Sequence, residues 1–484
     1  MRALPSKYQY LMHGFGCVCH SAEVTAICDR VNKAVSRRSV LGGIAATFAS
    51  AGLAAAATPA TQAPDKKVLL KNARIFDGKS GKLVEGQNVL IEGNRIKALI
   101  QAAENVTDAE AIDCRGGTVM PGLIDAHWHS ILAAIPQAVA MTADVPYIHL
   151  VAAEEAERTL MRGFTTIRDT GGPSFSLKRA IDENRLPGPR IFPSGAMISQ
   201  TSGHGDFRFR NELPHSMEMG LSASEKAGIS AIADGADSVL RSTREQLMLG
   251  ASQVKIMVGG GVASLYDPLY SIQFTPAEIR AAVQAASDWG TYVCAHVYTS
   301  AGIQRALDGG VQCIEHGQLA DEETVVRMVD ADAWWSIQPF LADEDSNPLN
   351  LPEQRAMQKE IAEGTVRSFG LAQKHKAKMA WGTDILFNPQ GTKSQGRQLA
   401  KTAKWLGNDG ALMMATRNNG ELLAMSGLRS PYKGPIGVIE PGALADILVI
   451  DGNPLEDVFL IADPDKNMKL IMKDGQVYKN TLTV

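Results

Sequence analysis

Two histidines one residue apart close an apolar run. Asp125-Ala126-His127-Trp128-His129 follows Pro121-Gly122-Leu123-Ile124. If the run is a strand, residues i and i+2 share a face, so both imidazoles project together and one metal ion can accept both. A surface or core histidine pair would read the same way. Lys255 sits in Gln253-Val254-Lys255-Ile256-Met257-Val258, an apolar stretch that runs into three glycines. A bare ammonium is costly to bury there. Either its stem carries the charge to solvent, or the lysine is paired or modified at a metal site. His296 ends Val293-Cys294-Ala295-His296, His316 ends Ile314-Glu315-His316, and Asp384 ends Ala380-Trp381-Gly382-Thr383-Asp384. Imidazoles and a carboxylate suit zinc, and a fold that gathers these run ends would make a multi-ligand site.

The elements that must position them alternate. Candidate strands are 122–129, 165–170, 190–199, 253–259, 292–298, 313–316, 334–340 and 379–384. Amphipathic stretches lie between them, such as 242–250 and 353–375, the latter with Met357, Ile361, Phe369 and Ala372 on one side. Strand–helix alternation of this length predicts an α/β fold, a (β/α)8 TIM-like barrel over residues 122–430 with its chemistry at the strand C-terminal ends. A doubly wound open sheet is the structural alternative, but no G-x-G-x-x-G opens a helix. Short strands with turn signals occupy 67–121, including a hairpin around Glu92-Gly93-Asn94, and the same style returns over 431–484. The two pieces predict one small β-sandwich domain built from both termini.

Taken in order and spacing, Pro121–His129, Lys255, His296, His316-Gly317 and Gly382-Thr383-Asp384 resemble the amidohydrolase superfamily from about residue 67 to the end. The Lys255 strand with its glycine-rich sequel and the His204-Gly205-Asp206 loop are similar to the branch of imidazolonepropionase-like enzymes, Xaa-Pro and Xaa-Arg dipeptidases, and ochratoxin-cleaving amidohydrolases. The resemblance implies two Zn²⁺ ions, with Mn²⁺ or Co²⁺ as substitutes. His127, His129 and Asp384 would hold the more buried ion, and His296 and His316 the other. Lys255, carboxylated to N6-carboxylysine, would bridge them. A hydroxide shared by the ions would attack an amide carbonyl, with Asp384 moving its proton to the leaving nitrogen. Tyr298, two residues beyond His296, would polarise that carbonyl, or is a core tyrosine with a backbone partner. The resemblance makes His204 a substrate contact. Arg208 and Arg210 would grip a substrate carboxylate, or are solvated loop charges. Arg168-Asp169 reads as an ion pair steadying the barrel rim. Trp334 and Trp335 are adjacent, so at most one faces a pocket.

The function so implied is binuclear hydrolysis of the amide bond to a terminal amino acid, in Xaa-amino acid dipeptides or N-acyl amino acids such as ochratoxin A. Cyclic-amide hydrolysis or deamination is the alternative within the superfamily, although mononuclear deaminases generally lack the bridging lysine. A catalytically silent periplasmic binding protein is the reading from another class. Composition argues against a nucleic-acid partner. Of 484 residues, 45% are hydrophobic and 21% charged, with net charge −4, which fits a globular chain and offers no basic footprint for nucleic acid. A homo-oligomer is expected from the resemblance.

The first 57 residues differ from the rest. Arg2, Lys7, Arg30, Lys33, Arg37 and Arg38 outweigh Glu23 and Asp29, and Ser36-Arg37-Arg38-Ser39-Val40-Leu41 precedes a small-residue apolar run ending in Ala55-Ala56-Ala57. This resembles a twin-arginine signal with an A-x-A-like cleavage site, and the run is too short for a comfortable span. Export to the periplasm is the expectation. Val35 suits an alternative start, which would leave 1–34 outside the native protein. Cys17, Cys19 and Cys28 belong to this leader, and the odd remainder Cys114, Cys294 and Cys313 reads as core thiols rather than a disulfide framework.

Overall fold

The computed structural model describes residues 66–482 apart from 105, 214–219, 265 and 350; the leader expected over 1–57 lies outside the described residues. The central runs form parallel strands in two sheets. One has the order Arg190–Pro193, Phe164–Asp169, Leu123–Trp128. The other runs Ser230–Ile232, Met197–Ser199, Val254–Met257, Val293–Thr299, Cys313–Leu319, Trp334–Ile337, Lys378–Trp381. Helices connect them, among them Ala236–Leu249, Pro276–Asp288, Ser300–Asp308, Glu322–Asp330 and Pro352–His375. Val254–Met257, Trp334–Ile337 and Leu123–Trp128 are buried at every position, as strands covered on both faces must be. Ile361, Phe369 and Ala372 of the long helix pack inward as its periodicity predicts.

The architecture is mixed α/β, and the parallel strands are not joined into one continuous ladder among the described residues. Two interruptions have identifiable causes. The run expected as one strand over 190–199 is two, because Gly195 turns into the left-handed region at φ +76° and Ala196 N–H donates to the Gln246 side chain at 2.9 Å instead of to a strand. Between Leu123–Trp128 and Lys378–Trp381 the Asn419 carboxamide replaces the ladder. It donates to Ile124 O at 2.7 Å and Trp381 O at 2.8 Å, and accepts from Trp381 N at 2.9 Å.

Strands from both ends of the chain share a six-stranded sheet in the order Gln476–Asn480, Met468–Lys473, Ile447–Ile450, Thr118–Pro121, Arg74–Phe76, Leu83–Val84. A four-stranded sheet, Arg95–Gln101, Gln87–Glu92, Lys67–Lys71, Glu110–Asp113, carries the predicted hairpin with Gly93 at φ +59°. Their buried Val68, Leu70, Ile91, Val119, Ile447, Val449 and Leu470 make a core of their own. Cys114, Cys294 and Cys313 are free and buried, and burial pushes the Cys294 thiol up to about 11. No helix among the described residues is long and apolar enough to cross a membrane.

Candidate metal centre

The scattered imidazoles converge where the parallel strands end. His127 Nε2 lies 3.3 Å and His129 Nε2 3.1 Å from Asp384 Oδ1. His316 Nδ1 lies 3.9 Å from Asp384 Oδ2, and ligand atoms of His127, His316 and Asp384 fall within 4.8 Å of one another. His316 therefore reaches the His127–Asp384 side as well as His296, whose ring centroid is 4.5 Å away. His204 stacks on His296 at 3.9 Å and 13°. Its Nδ1 bonds Ser264 Oγ at 2.5 Å, and its ring lies over Gly261, where a Cβ would sit 1.9 Å from His204 Cε1.

Backbone strain accompanies the convergence. His316 and Asp384 take φ +74° and +54°, a region non-glycine residues rarely adopt and which clusters at functional sites. Close approach adds a second constraint. A Cβ on Gly382 would stand 2.4 Å from His127 Cβ and 2.5 Å from His127 N. Gly382→Ala is therefore expected to cost about 1–3 kcal/mol and to displace His127. Thermal unfolding checks it: a wild-type melting temperature would contradict the contact.

Electrostatics keep the donors usable. Burial first, then His204, His316 and Lys255, hold His296 well below the usual histidine range. For His316, burial together with His127 and Lys255 outweighs the opposing Asp384. Both rings keep lone pairs for a cation. Burial alone would raise Asp384, but His127, His129 and His316 outweigh it and hold the carboxyl well below its ordinary value. Lys255 is 1% exposed. No hydrogen bond or ion pair reaches its ammonium among the described residues. The buried Lys255 lies close enough for its charge to bear on His296 and His316, at a cluster whose imidazoles and carboxylate could hold a cation.

Behind the cluster stands a second layer. His127 Nδ1–H donates to Glu315 Oε2 at 2.7 Å, and Arg168 Nη2 donates to Glu315 Oε1 at 2.6 Å, with Arg168 and Glu315 both fully buried. This corrects the expected Arg168–Asp169 pair. Neighbours on a strand face opposite ways, so Arg168 turns inward to Glu315, while Asp169 accepts Ser130 N at 2.8 Å and Gly171 N at 3.0 Å. Glu315 went unremarked in the sequence, yet a charge inside an apolar run is the same signal that singled out Lys255. Gln338 Oε1 accepts from His316 Nδ1 at 2.7 Å, and Trp335 Nε1 donates to His316 O at 2.6 Å. Gln338, uncharged and without a motif, gave no sequence signal, and Trp335 drew notice only as one of an adjacent tryptophan pair.

The cluster opens into a cavity of about 450 Å³ lined by His204, His296, Tyr298 and Asp384, and by Phe207, Phe340, Leu341, Leu349, Ile385 and Phe387. Tyr298 packs 4.9 Å from the His316 ring, and among the described residues no backbone partner takes its hydroxyl. Burial, then Asp384, pushes the phenol well above 10, so it stays a donor. The expected arginine clamp is placed elsewhere. Arg208 is bound to Asp206 through Nε at 2.8 Å and Nη2 at 2.5 Å, Arg210 stands over the Tyr266 ring, and neither lines the cavity. Neither tryptophan of the 334–335 pair lines it.

Imidazoles, a carboxylate and an unpartnered lysine at parallel strand ends define a class, hydrolases of mixed α/β architecture whose site lies at the strand C-terminal ends. Residues 118–478 match the model of the amidohydrolase family, and the chain belongs to that family. It is 30% identical over 332 residues to ochratoxinase from Aspergillus niger, 66% of each chain, so the match spans just under two thirds of that relative's length. Among solved structures it is similar to a prolidase complexed with N-methylphosphonate-L-proline, with TM-score 0.78, 35% identity, and 86% of this chain and 100% of the other covered. A Xaa-Pro dipeptidase with bound methionine gives TM-score 0.74 at 28% identity, covering 86% and 100%.

Proposed function

We propose that this chain is a metal-dependent amidohydrolase that cleaves the amide joining an acyl or aminoacyl group to a terminal amino acid. The observation that carries the reading is the convergence of His127, His129, His296, His316 and Asp384, with His296 and Asp384 lining the cavity and the buried, unpartnered Lys255 close enough for its charge to bear on His296 and His316. His127, His129 and Asp384 would hold one ion and His296 and His316 another, with Lys255 as a carbamate between them. Zinc suits this donor set, with manganese or cobalt as substitutes. When bound, the ions supply Lewis-acid polarisation and charge neutralisation.

The chain's own groups divide the remaining work. Asp384, held as a carboxylate, takes the proton of the attacking water and returns one to the leaving nitrogen, since an amine leaves poorly unless protonated. Tyr298 donates its hydroxyl hydrogen to the carbonyl oxygen as charge develops there. His204, on the cavity wall, contacts the substrate, and the apolar wall of Phe207, Phe340, Leu349 and Phe387 takes its bulk. Similarity to an ochratoxinase and to a Xaa-Pro dipeptidase supports dipeptides and N-acyl amino acids, ochratoxin A among them, as the class to test. The Asn419 bridge supports reading the parallel strands as a closed (β/α)8 barrel. The Arg37-Arg38 segment supports export to the periplasm.

Tyr298→Phe is expected to lower kcat by about 10²–10³-fold with metal content unchanged, and turnover equal to wild type would remove the donor role. The reading as a whole is tested by screening zinc-loaded protein against dipeptides and N-acyl amino acids. Turnover confined to cyclic amides would overturn it.

A further inference from the structure

We propose that Arg168 and Glu315 are positioning residues that fix His127 in the one tautomer able to accept a cation, so that the first metal position is formed before any ion arrives. The proposal rests on the metal reading above. The two side chains are fully buried, in a layer below the cavity, where neither meets substrate. Arg168 is held from several strands at once: besides Glu315 it donates to Ala126 O at 2.5 Å, Ser336 Oγ at 3.1 Å and Tyr292 Oη at 3.2 Å. That grip fixes Glu315 Oε1 and leaves Oε2 facing His127 Nδ1 at 2.7 Å.

The consequence is at the other ring nitrogen. With Nδ1 carrying the hydrogen donated to Glu315, His127 Nε2 keeps its lone pair, 3.3 Å from Asp384 Oδ1. A competitor waits at the same atom, because Gln338 Nε2 lies 3.2 Å from His127 Nδ1. Without the Glu315 charge, that amide N–H donates to Nδ1. The ring hydrogen then moves to Nε2, where it points at the ion's place and opposes binding. The Arg168–Glu315 charge pair therefore selects between two tautomers that the surrounding donors would otherwise allow.

Zinc alone is the probe, with affinity read by competition against a chromophoric chelator and stability by thermal unfolding of the full chain. Glu315→Gln keeps the shape and is expected to weaken zinc binding by about 10- to 100-fold. It also leaves Arg168 buried without its partner, so the double variant Arg168→Met with Glu315→Gln removes that charge too. The double variant is expected to melt near the wild type while still binding zinc weakly. If zinc affinity returns together with stability, the pair is only a structural ion pair and the proposal fails. Wild-type affinity in Glu315→Gln itself would overturn it equally. A wild-type chain that takes up no zinc would instead overturn the metal reading beneath it.

Discussion

Asp384→Asn is expected to reduce amide hydrolysis by about 10³-fold or more, with the fold intact. Asparagine matches aspartate in shape and tolerates the left-handed backbone that Asp384 adopts at φ +54°, so the substitution removes charge and little else. What it removes is the anion toward which His127, His129 and His316 are turned. The amide that replaces it neither takes a proton from water nor returns one to a leaving amine, and it is a poorer ligand for a divalent cation. Zinc content should fall with the rate, while the melting temperature of the metal-free protein stays near that of the wild type. A variant retaining more than about a tenth of the wild-type rate would show that another group moves the proton.

Lys255→Met separates stability from function in opposite directions. In the metal-free chain the Lys255 ammonium is buried with no hydrogen bond or ion pair among the described residues. A thioether of similar length needs no partner, so the metal-free variant is expected to be more stable by on the order of 1 kcal/mol or more. Methionine cannot form a carbamate, so the bridge proposed for Lys255 cannot form. Zinc stoichiometry should drop below that of the wild type, and hydrolysis should fall by at least about 10²-fold. Metal analysis, unfolding and assay of one preparation give all three readings. Full zinc occupancy in Lys255→Met would refute the bridging role.

How much of this was legible in the sequence depended on whether a residue's signal was local. The strand runs around His127, Lys255, His296 and His316 stood out because a charged or imidazole side chain at the end of an apolar stretch conflicts with burial unless it has work to do. The break at Gly195, and Asn419 standing in for a ladder, left no such mark. The first depends on a single left-handed residue and the second on a side chain whose partners lie 38 and 295 positions away. The arginines of the His204 loop read either as a grip on a substrate carboxylate or as solvated loop charges, yet Arg208 found a carboxylate two residues away, a contact that needs no substrate to form.

The sequence by itself determined the type and order of the candidate ligands and the α/β alternation that carries them, since both follow from composition and period along the chain. Only the tertiary structure decided the pairings: Glu315 behind His127, Gln338 behind His316, Gly382 beneath the His127 backbone, and the apolar wall of the cavity. Periodicity fixes which face of an element a residue occupies, but which distant element that face meets is set by how the strands twist and pack, and no local pattern encodes it.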